Sequence, residues 1–192
     1  MQSPHLRFVV LLLALVVLCL SDANGCPTII SRSQWGARAA TRSTTMRSPA
    51  TYAIIHHTVT PKCTTLSTCR TILQSIQNDH ITTRGFADIG YTFLVSSDGS
   101  IYEGRGWDKV GAHAEGFNSR SIGISFIGNF QNEDPTQQQQ NAAQSLIACA
   151  VSRGKLRSAY NLLGHRQTKS TECPGSKLYS IIMRWANWKR NP

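Results

Sequence analysis

The sequence predicts a single α/β domain, in which a central mixed β-sheet is packed by about three α-helices. Short apolar segments typical of strands alternate along the chain with three longer segments whose apolar residues recur at helical spacing. The chain has 192 residues and a hydrophobic fraction of 41%, which is typical of a folded protein with one core. Because no internal repeat or long linker interrupts it, we expect one domain over residues 26–192.

The first 25 residues are predicted to be a secretory signal peptide. Arg7 precedes an apolar run, Phe8–Leu20, and small residues follow within Ser21–Gly25, which is the usual order of a signal and its cleavage site. The run is shorter than the roughly 20 residues of a membrane span. A bacterial lipoprotein signal at Cys26 is disfavoured, because Ala23 replaces the apolar residue usual three places earlier. We therefore expect a secreted, extracellular protein without stable membrane insertion.

A buried strand and a helix are predicted at the start of the domain. Tyr52–Ile55 is a short apolar run typical of a buried strand, and it continues into His56-His57. A helix is predicted from Thr65 to His80, because four apolar residues recur at helical spacing: Leu66, Cys69, Leu73 and Ile76.

A hairpin and a central strand are predicted next. Tyr91–Val95 and Ser100–Tyr102 flank Asp98-Gly99, which is a strong signal for a hairpin turn. Ser121–Ile127, with Gly123 inside it, is typical of a central strand of the sheet.

Two helices and a short strand are predicted in the last third of the chain. Asp134-Pro135 is typical of a helix start and Gly154 of a helix end, with apolar residues on one face between them. Leu162-Leu163 form a short strand that leads to His165. The final helix is predicted to be amphipathic, with its apolar face formed by Leu178, Ile181, Ile182, Trp185 and Trp188.

The net charge of +10 favours anionic partners such as cell-wall polymers, nucleic acid or membrane surfaces. The basic residues are dispersed along the chain rather than clustered. A nucleic-acid-binding module is therefore unsupported, and we expect no nucleic-acid partner.

Five cysteines remain after removal of the signal, so one of them is left over when the others pair. The pairs Cys63–Cys69 and Cys26–Cys149 would leave Cys173 free, although the sequence permits other pairings. Three roles stay open for a free Cys173: a buried inert thiol, a bridge to another chain, or a metal ligand or nucleophile. The last is suggested by its position in a loop-like stretch, Thr171–Gly175, shortly after His165.

His56, His165 and Cys173 together form a candidate zinc site. Both histidines follow strands, which hold ligands rigidly, and Cys173 comes eight residues after His165 in a loop able to fold back. A catalytic zinc needs three protein ligands and an open position. The spacing alone is weak, because the chain has six histidines and strand ends often carry polar residues.

Five motifs, in order along the mature chain, resemble those of the peptidoglycan recognition proteins, innate-immune proteins of animals that are similar to phage zinc amidases. They are Ile54–Thr58, Asp88–Tyr91, Tyr102–Trp107, Gly164–Arg166 and Thr171–Gly175. The cysteine placement resembles the short, secreted insect members. The resemblance implies the phage-lysozyme-like amidase fold and antibacterial N-acetylmuramoyl-L-alanine amidase activity, with one catalytic Zn²⁺ and bacterial peptidoglycan as substrate and partner.

The resemblance also implies roles for individual residues. His56, His165 and Cys173 match the zinc ligands, and Tyr91 and Thr171 match catalytic positions. Non-catalytic relatives typically lack the cysteine, so its presence here favours an enzyme. No carboxylate is clearly placed as a general base. Substrate-binding positions of the family are matched by His57, His80, Arg84, Gly85, Phe86, Arg105, Trp107 and His113.

Substrate preference and function class each keep an alternative. Gly85 and Arg105 resemble members that prefer the meso-diaminopimelate type of peptidoglycan, whereas Phe86 departs from that pattern; we expect the diaminopimelate preference. The main alternative to an enzyme is a non-catalytic peptidoglycan receptor or bactericidal protein that uses the same groove. A basic secreted antimicrobial protein without a groove is the third possibility.

Overall fold

The computed structural model describes residues 25–192, so the predicted signal peptide, residues 1–25, lies outside the described residues apart from Gly25. The described part confirms the predicted α/β class. Its strands are β1 (Ile29–Ile30), β2 (Ala50–His57), β3 (Phe93–Val95), β4 (Ile101–Glu103), β5 (Ser121–Phe126) and β6 (Leu156–Gly164). Its helices are α1 (Arg32–Trp35), α2 (Leu66–Asn78), α3 (Gln137–Ser152) and α4 (Ser176–Ile182). The helix beyond the three expected is α1, which has only four residues.

The strands form one mixed sheet in the order β1-β4-β3-β5-β2-β6. β2 lies between β5 and β6 and is parallel to both, while β3 and β4 form the predicted antiparallel hairpin. In the β2–β6 pair, Ile55 is opposite Gly164. Because parallel strands end at the same edge of a sheet, this register brings the residues after Ile55 and Gly164 side by side.

Helices cover both faces of the sheet. On one face, Leu146 of α3 and Leu178 of α4 are buried in one cluster with Phe126 and other strand residues. On the other face, Leu73 of α2 belongs to a second cluster with Leu94 and other residues. Successive strand residues point to opposite faces of the sheet. Because helices cover both faces, nearly all residues of β2 and β5 are buried, whichever face they point to.

The helix ends differ from the sequence-based boundaries. α2 ends at Asn78, and a π-helical turn, Asp79–Thr83, continues it and carries His80. α3 begins after Thr136, whose side chain accepts a hydrogen bond from the backbone N–H of Gln139, so the predicted start at Asp134-Pro135 is two residues too early. α4 ends at Ile182, so Trp185 and Trp188 lie beyond it and still pack against the core.

The structure contains the two predicted disulfides. Cys26 is bonded to Cys149 of α3 over a separation of 123 residues, and Cys63 is bonded to Cys69 at the start of α2. Among residues 25–192, Cys173 is the free cysteine. Within the same residues, every helix is too short or too polar to cross a lipid bilayer.

Candidate metal centre and adjoining cavity

A cavity of about 660 Å³ opens at the edge of the sheet where β2 and β6 end. Both candidate catalytic residues and all three candidate metal ligands line it. The predicted site residues that line the cavity are His56, His57, His80, Arg84, Phe86, Tyr91, His113, His165, Thr171 and Cys173. The structure therefore brings together most of the side chains that the sequence selects.

The candidate metal ligands converge because of the β2–β6 register. His56 lies one residue after Ile55, and His165 one residue after Gly164, so the parallel pairing places the two histidines next to each other. The backbone N–H of Arg166 donates a hydrogen bond of 2.8 Å to the Cys173 carbonyl, which folds the loop back onto the end of β6. As a result, one ligand atom from each of His56, His165 and Cys173 lies within 4.8 Å of the others.

Cys173 is held as a buried thiol against β2. Its Sγ atom lies 3.8 Å from Nδ1 of His56 and accepts a hydrogen bond of 3.4 Å from the backbone N–H of His57. Burial raises the pKa of the Cys173 thiol to about 12. In the metal-free protein the thiol therefore keeps its proton at neutral pH, and a metal ion that binds the sulfur must displace that proton.

The histidines around the cavity are neutral near pH 7. Burial, with nearby positive charges, lowers the pKa of His165 and of His57 to about 4. Burial likewise lowers the pKa of His80 to about 4 and that of His113 to about 3. Burial also lowers the pKa of His56 well below its usual value. Neutral imidazole is the form that ligates metals, so at neutral pH no proton competes with a metal ion for these rings.

The donor set fits a zinc ion, and one of its rings has a nitrogen without a protein partner. Among the described residues, the buried Nε2 atom of His165 has no hydrogen-bond partner, which is uncommon for a buried polar atom. Two imidazoles and one thiolate are ligands that zinc prefers, with bonds of about 2.0–2.3 Å. The ligand atoms of the three side chains lie within 4.8 Å of one another, close enough for the group to hold one metal ion.

His57 and His80 present N–H donors at the cavity wall. Nδ1 of His57 accepts a hydrogen bond of 3.2 Å from the backbone N–H of Phe130, and Nδ1 of His80 accepts one of 2.8 Å from that of Gly90. A backbone N–H can only donate, so in each neutral ring the proton is on Nε2. Both residues line the cavity, and these Nε2–H groups are available to acceptors on a ligand.

Tyr91 and Thr171 flank the candidate metal ligands. The Tyr91 ring lies 5.3 Å from the His56 ring and 5.6 Å from the His80 ring, measured between centroids. Burial raises the pKa of Tyr91 to about 12, so its hydroxyl remains a hydrogen-bond donor at neutral pH. The Thr171 hydroxyl accepts a hydrogen bond of 3.3 Å from the backbone N–H of Cys173, which ties it to the ligand loop.

Two predicted substrate-binding residues lie in a neighbouring cavity of about 160 Å³. Gly85 and Arg105 line it, together with Phe86 and Ala112, which also line the main cavity. The Arg105 guanidinium donates hydrogen bonds of 2.8 and 2.7 Å to the backbone carbonyls of Ile89 and Val110. Part of its donor capacity is therefore used to hold the cavity wall.

Trp107 is the predicted substrate-binding residue that lines neither cavity. Its ring packs against Phe93 with centroids 4.3 Å apart, and it is partly buried against the core cluster that contains Phe93. This packing gives Trp107 no contact with either cavity, so the arrangement does not support a substrate-binding role for it. Arg84 does line the main cavity, where its Nε donates to the Asp79 carboxylate at 2.8 Å.

Asp88 is a buried residue of the site region for which the sequence assigns no role. Its carboxylate forms an ion pair of 3.0 Å with Arg32 and accepts hydrogen bonds of 2.6 Å from Gln77 and 2.7 Å from the backbone N–H of Ile89. These contacts fix the start of the segment that leads to Tyr91. Asp88 lies within one of the recognised motifs, but its partner Arg32 is 56 residues away, and no local pattern indicates that pairing.

Comparisons with known proteins find relatives that are similar to this chain in sequence and in fold. The family model described as N-acetylmuramoyl-L-alanine amidase matches residues 46–176. Peptidoglycan-recognition protein SC2 of Drosophila melanogaster is 50% identical over 179 residues, which cover 93% of this chain and 97% of that protein. The solved structure of wild-type Drosophila PGRP-LB is 42% identical, with a TM-score of 0.83 over 84% of this chain and 96% of that one. Peptidoglycan recognition protein-LE, solved in complex with tracheal cytotoxin (monomeric diaminopimelic acid-type peptidoglycan), is 41% identical, with a TM-score of 0.83 over 84% and 95% of the two chains.

Proposed function

This chain belongs to the N-acetylmuramoyl-L-alanine amidase family and, within it, to the peptidoglycan-recognition proteins, and from this premise we propose that it is a secreted zinc amidase that cleaves bacterial peptidoglycan in innate immunity. The observation that carries the proposal is the convergence of His56, His165 and the free Cys173. Secretion is supported by the signal-like sequence of residues 1–25 and by two disulfides.

The zinc ion would be held by His56, His165 and the Cys173 thiolate. When bound, zinc supplies Lewis-acid chemistry and lowers the pKa of a water molecule from 15.7 toward about 7. The protein contributes two neutral imidazoles and a partly open cavity. It also contributes the Cys173 thiol, whose sulfur accepts a hydrogen bond from the backbone N–H of His57. Three protein ligands beside an open cavity support a catalytic site rather than a closed structural one.

The remaining side chains would bind the substrate amide, orient the substrate or support the loop that carries Cys173. The neutral Tyr91 hydroxyl would donate a hydrogen bond to the carbonyl oxygen of the lactyl–L-alanine amide and stabilise the negative charge that develops there. The Nε2–H groups of His57 and His80 would orient the substrate from the cavity wall. Thr171 would hold the Cys173 loop in place, since its hydroxyl accepts from the Cys173 N–H.

Bacterial peptidoglycan and its soluble muropeptides are the proposed partners. The similar protein LE was solved with a muropeptide of the diaminopimelate type, and the cavity of about 660 Å³ here has the size of a typical ligand-binding pocket. The net charge of +10 also favours association with anionic cell-wall polymers.

The proposal is tested on the purified wild-type protein by two measurements. We expect about one zinc ion per chain by metal analysis, and free stem peptides among the products of peptidoglycan digestion by mass spectrometry. Removal of zinc with a chelator should stop the release, and added zinc should restore it. Protein that binds zinc in this ratio but frees no peptide would instead support the receptor function.

We further propose that Arg105 favours diaminopimelate over lysine at the third position of the stem peptide. Diaminopimelate carries an extra carboxylate, which a guanidinium can bind through two hydrogen bonds. Arg105 donates to the carbonyls of Ile89, Val110 and, at 3.4 Å, Asp88, and a guanidinium has five N–H donors, so two N–H groups remain for a ligand in the adjoining cavity beside Gly85.

Replacement of Arg105 by Val is expected to lower the preference for diaminopimelate by at least about 10-fold, because a hydrogen bond to a charged group contributes about 1.5–3 kcal/mol. The measurement is the ratio of kcat/KM for matched diaminopimelate and lysine muropeptides. The ratio compares two substrates on one variant. A general effect of the substitution on the cavity wall at Ile89 and Val110 changes both kcat/KM values alike and leaves their ratio unchanged. Arg105→Lys should give an intermediate ratio, and an unchanged ratio for Arg105→Val would exclude this role.

A further inference from the structure

His113 is buried beside the candidate metal ligands, and both of its ring nitrogens contact protein atoms. Its Nδ1 lies 3.0 Å from Nε2 of His56, and its Nε2 lies 3.4 Å from the hydroxyl oxygen of Ser121. His113 is only 8% exposed although it lines the cavity. The His113 and His56 rings meet edge to face, with centroids 5.0 Å apart. A histidine that binds substrate in the groove would instead leave one ring nitrogen free for the substrate.

The hydroxyl of Ser121 determines the direction of these hydrogen bonds. It donates its single proton to the Phe117 carbonyl at 2.8 Å, so only its lone pairs face His113. His113 must then carry its proton on Nε2 and offer the lone pair of Nδ1 to His56. His56 in turn donates from Nε2, which leaves its Nδ1 unprotonated, 3.8 Å from the sulfur of Cys173.

The backbone around His113 is shaped to hold the ring in this orientation. A Cβ atom added at Gly111 would lie 2.4 Å from Cδ2 of His113, and one added at Gly123 would lie 2.6 Å from the ring. Real Cβ atoms do not approach so closely, so both positions require glycine while the imidazole occupies this slot. The backbone N–H of His113 also donates a hydrogen bond of 2.8 Å to the Asn118 side chain, which fixes the main chain.

We propose that His113 is a positioning residue that sets the tautomer of His56, so that the Nδ1 lone pair of His56 is the one directed at a bound cation. The proposal rests on the zinc site proposed above and adds a chain of hydrogen bonds, from the Phe117 carbonyl through Ser121 and His113 to His56, that the amidase function by itself does not require. Partners that orient a metal-bound histidine typically contribute about 10- to 100-fold to metal affinity. His113 therefore acts on the metal site through His56 rather than by contact with the substrate.

The tautomer can be read directly in the metal-free wild-type protein. Long-range ¹H–¹⁵N correlation spectra distinguish a protonated Nε2 from a protonated Nδ1 in each imidazole, and a His56→Gln variant assigns the His56 signals. We expect His56 to be protonated on Nε2 and unprotonated on Nδ1. A His56 ring protonated on Nδ1, or exchanging between both forms, would overturn the proposal.

Zinc affinity, measured by competition with a chromogenic chelator, tests the same proposal through variants. His113→Ala is expected to bind zinc about 10- to 100-fold more weakly and to lose the fixed His56 tautomer. His113→Asn should recover most of the affinity, because its side-chain oxygen can accept from His56. Ser121→Ala, a milder change that leaves the ring in place, should weaken zinc binding less than His113→Ala does.

Ser125→Ala is the matched control, because Ser125 is a buried serine on the same strand, directly opposite His56 in the β2–β5 register. It should leave both the tautomer and the zinc affinity unchanged. Wild-type affinity in His113→Ala, or weaker affinity with an unchanged His56 tautomer, would overturn the positioning role. Absence of zinc binding by the wild-type protein would instead overturn the proposed function, while the spectra of the metal-free protein still test the hydrogen-bond chain.

Discussion

Replacement of Cys173 by Ser is expected to reduce the release of stem peptides by at least about 1000-fold, since amide hydrolysis at neutral pH depends on a metal that lowers the pKa of water from 15.7 to about 7. The serine hydroxyl is a poor zinc ligand, and the two histidines alone do not complete a catalytic site. The loss of zinc affinity should exceed the roughly 10- to 100-fold that removal of a merely orienting residue causes. Metal analysis and product mass spectrometry measure both effects on the same sample.

Peptidoglycan binding should largely survive in Cys173→Ser. Cys173 is one residue of a cavity lined by several polar side chains, and the substitution changes a single atom that contacts backbone atoms of His57. Sedimentation with insoluble peptidoglycan measures this binding. Cys173→Asp is the matched variant, because a carboxylate can ligate zinc, and it should retain more zinc than the serine variant does. Full activity in Cys173→Ser would contradict the zinc amidase proposal.

The sequence predicts the parts of the fold that leave a periodic pattern. The strand at Tyr52–Ile55, the helix after Thr65 and the hairpin around Asp98-Gly99 occur as expected, because burial on one or two faces imposes their spacing. The strand β6 is longer than its predicted core, Leu162-Leu163. It lies at the edge of the sheet, where residues 157–159 are exposed and include no large apolar side chain, and they therefore give no strand pattern.

The candidate site was predictable only in part, because its chemistry is local and its geometry is not. His56, His165 and Cys173 stand out in the sequence as residues that bind metals, but their convergence depends on the β2–β6 register. Contacts between His56 and His113, 57 residues apart, leave no trace in local spacing. The aromatic character of Trp107 is equally consistent with a groove and with the core, and in the fold it packs against Phe93.

Tyr91→Phe is expected to lower kcat by about 100- to 1000-fold, the usual effect of removing one donor to a developing oxyanion. Phenylalanine keeps the ring that packs beside His56 and His80 and removes only the hydroxyl. KM and zinc content should therefore change little. Because burial raises the pKa of Tyr91 to about 12, the wild-type hydroxyl stays protonated over the whole neutral and mildly alkaline range. Loss of this donor by ionisation should then begin only as the pH approaches 12.

The matched control for Tyr91→Phe is Tyr160→Phe, which removes a hydroxyl from a buried tyrosine of β6 in the core cluster on the α3 and α4 side of the sheet. Its kcat should equal that of the wild-type protein. The comparison separates two roles of Tyr91, because an aromatic residue that only packs in the cavity wall would tolerate phenylalanine without loss. If Tyr91→Phe keeps the wild-type kcat, the hydroxyl does not stabilise the transition state. The oxyanion must then be stabilised by other donors, and the Nε2–H groups of His57 and His80 on the cavity wall are candidates.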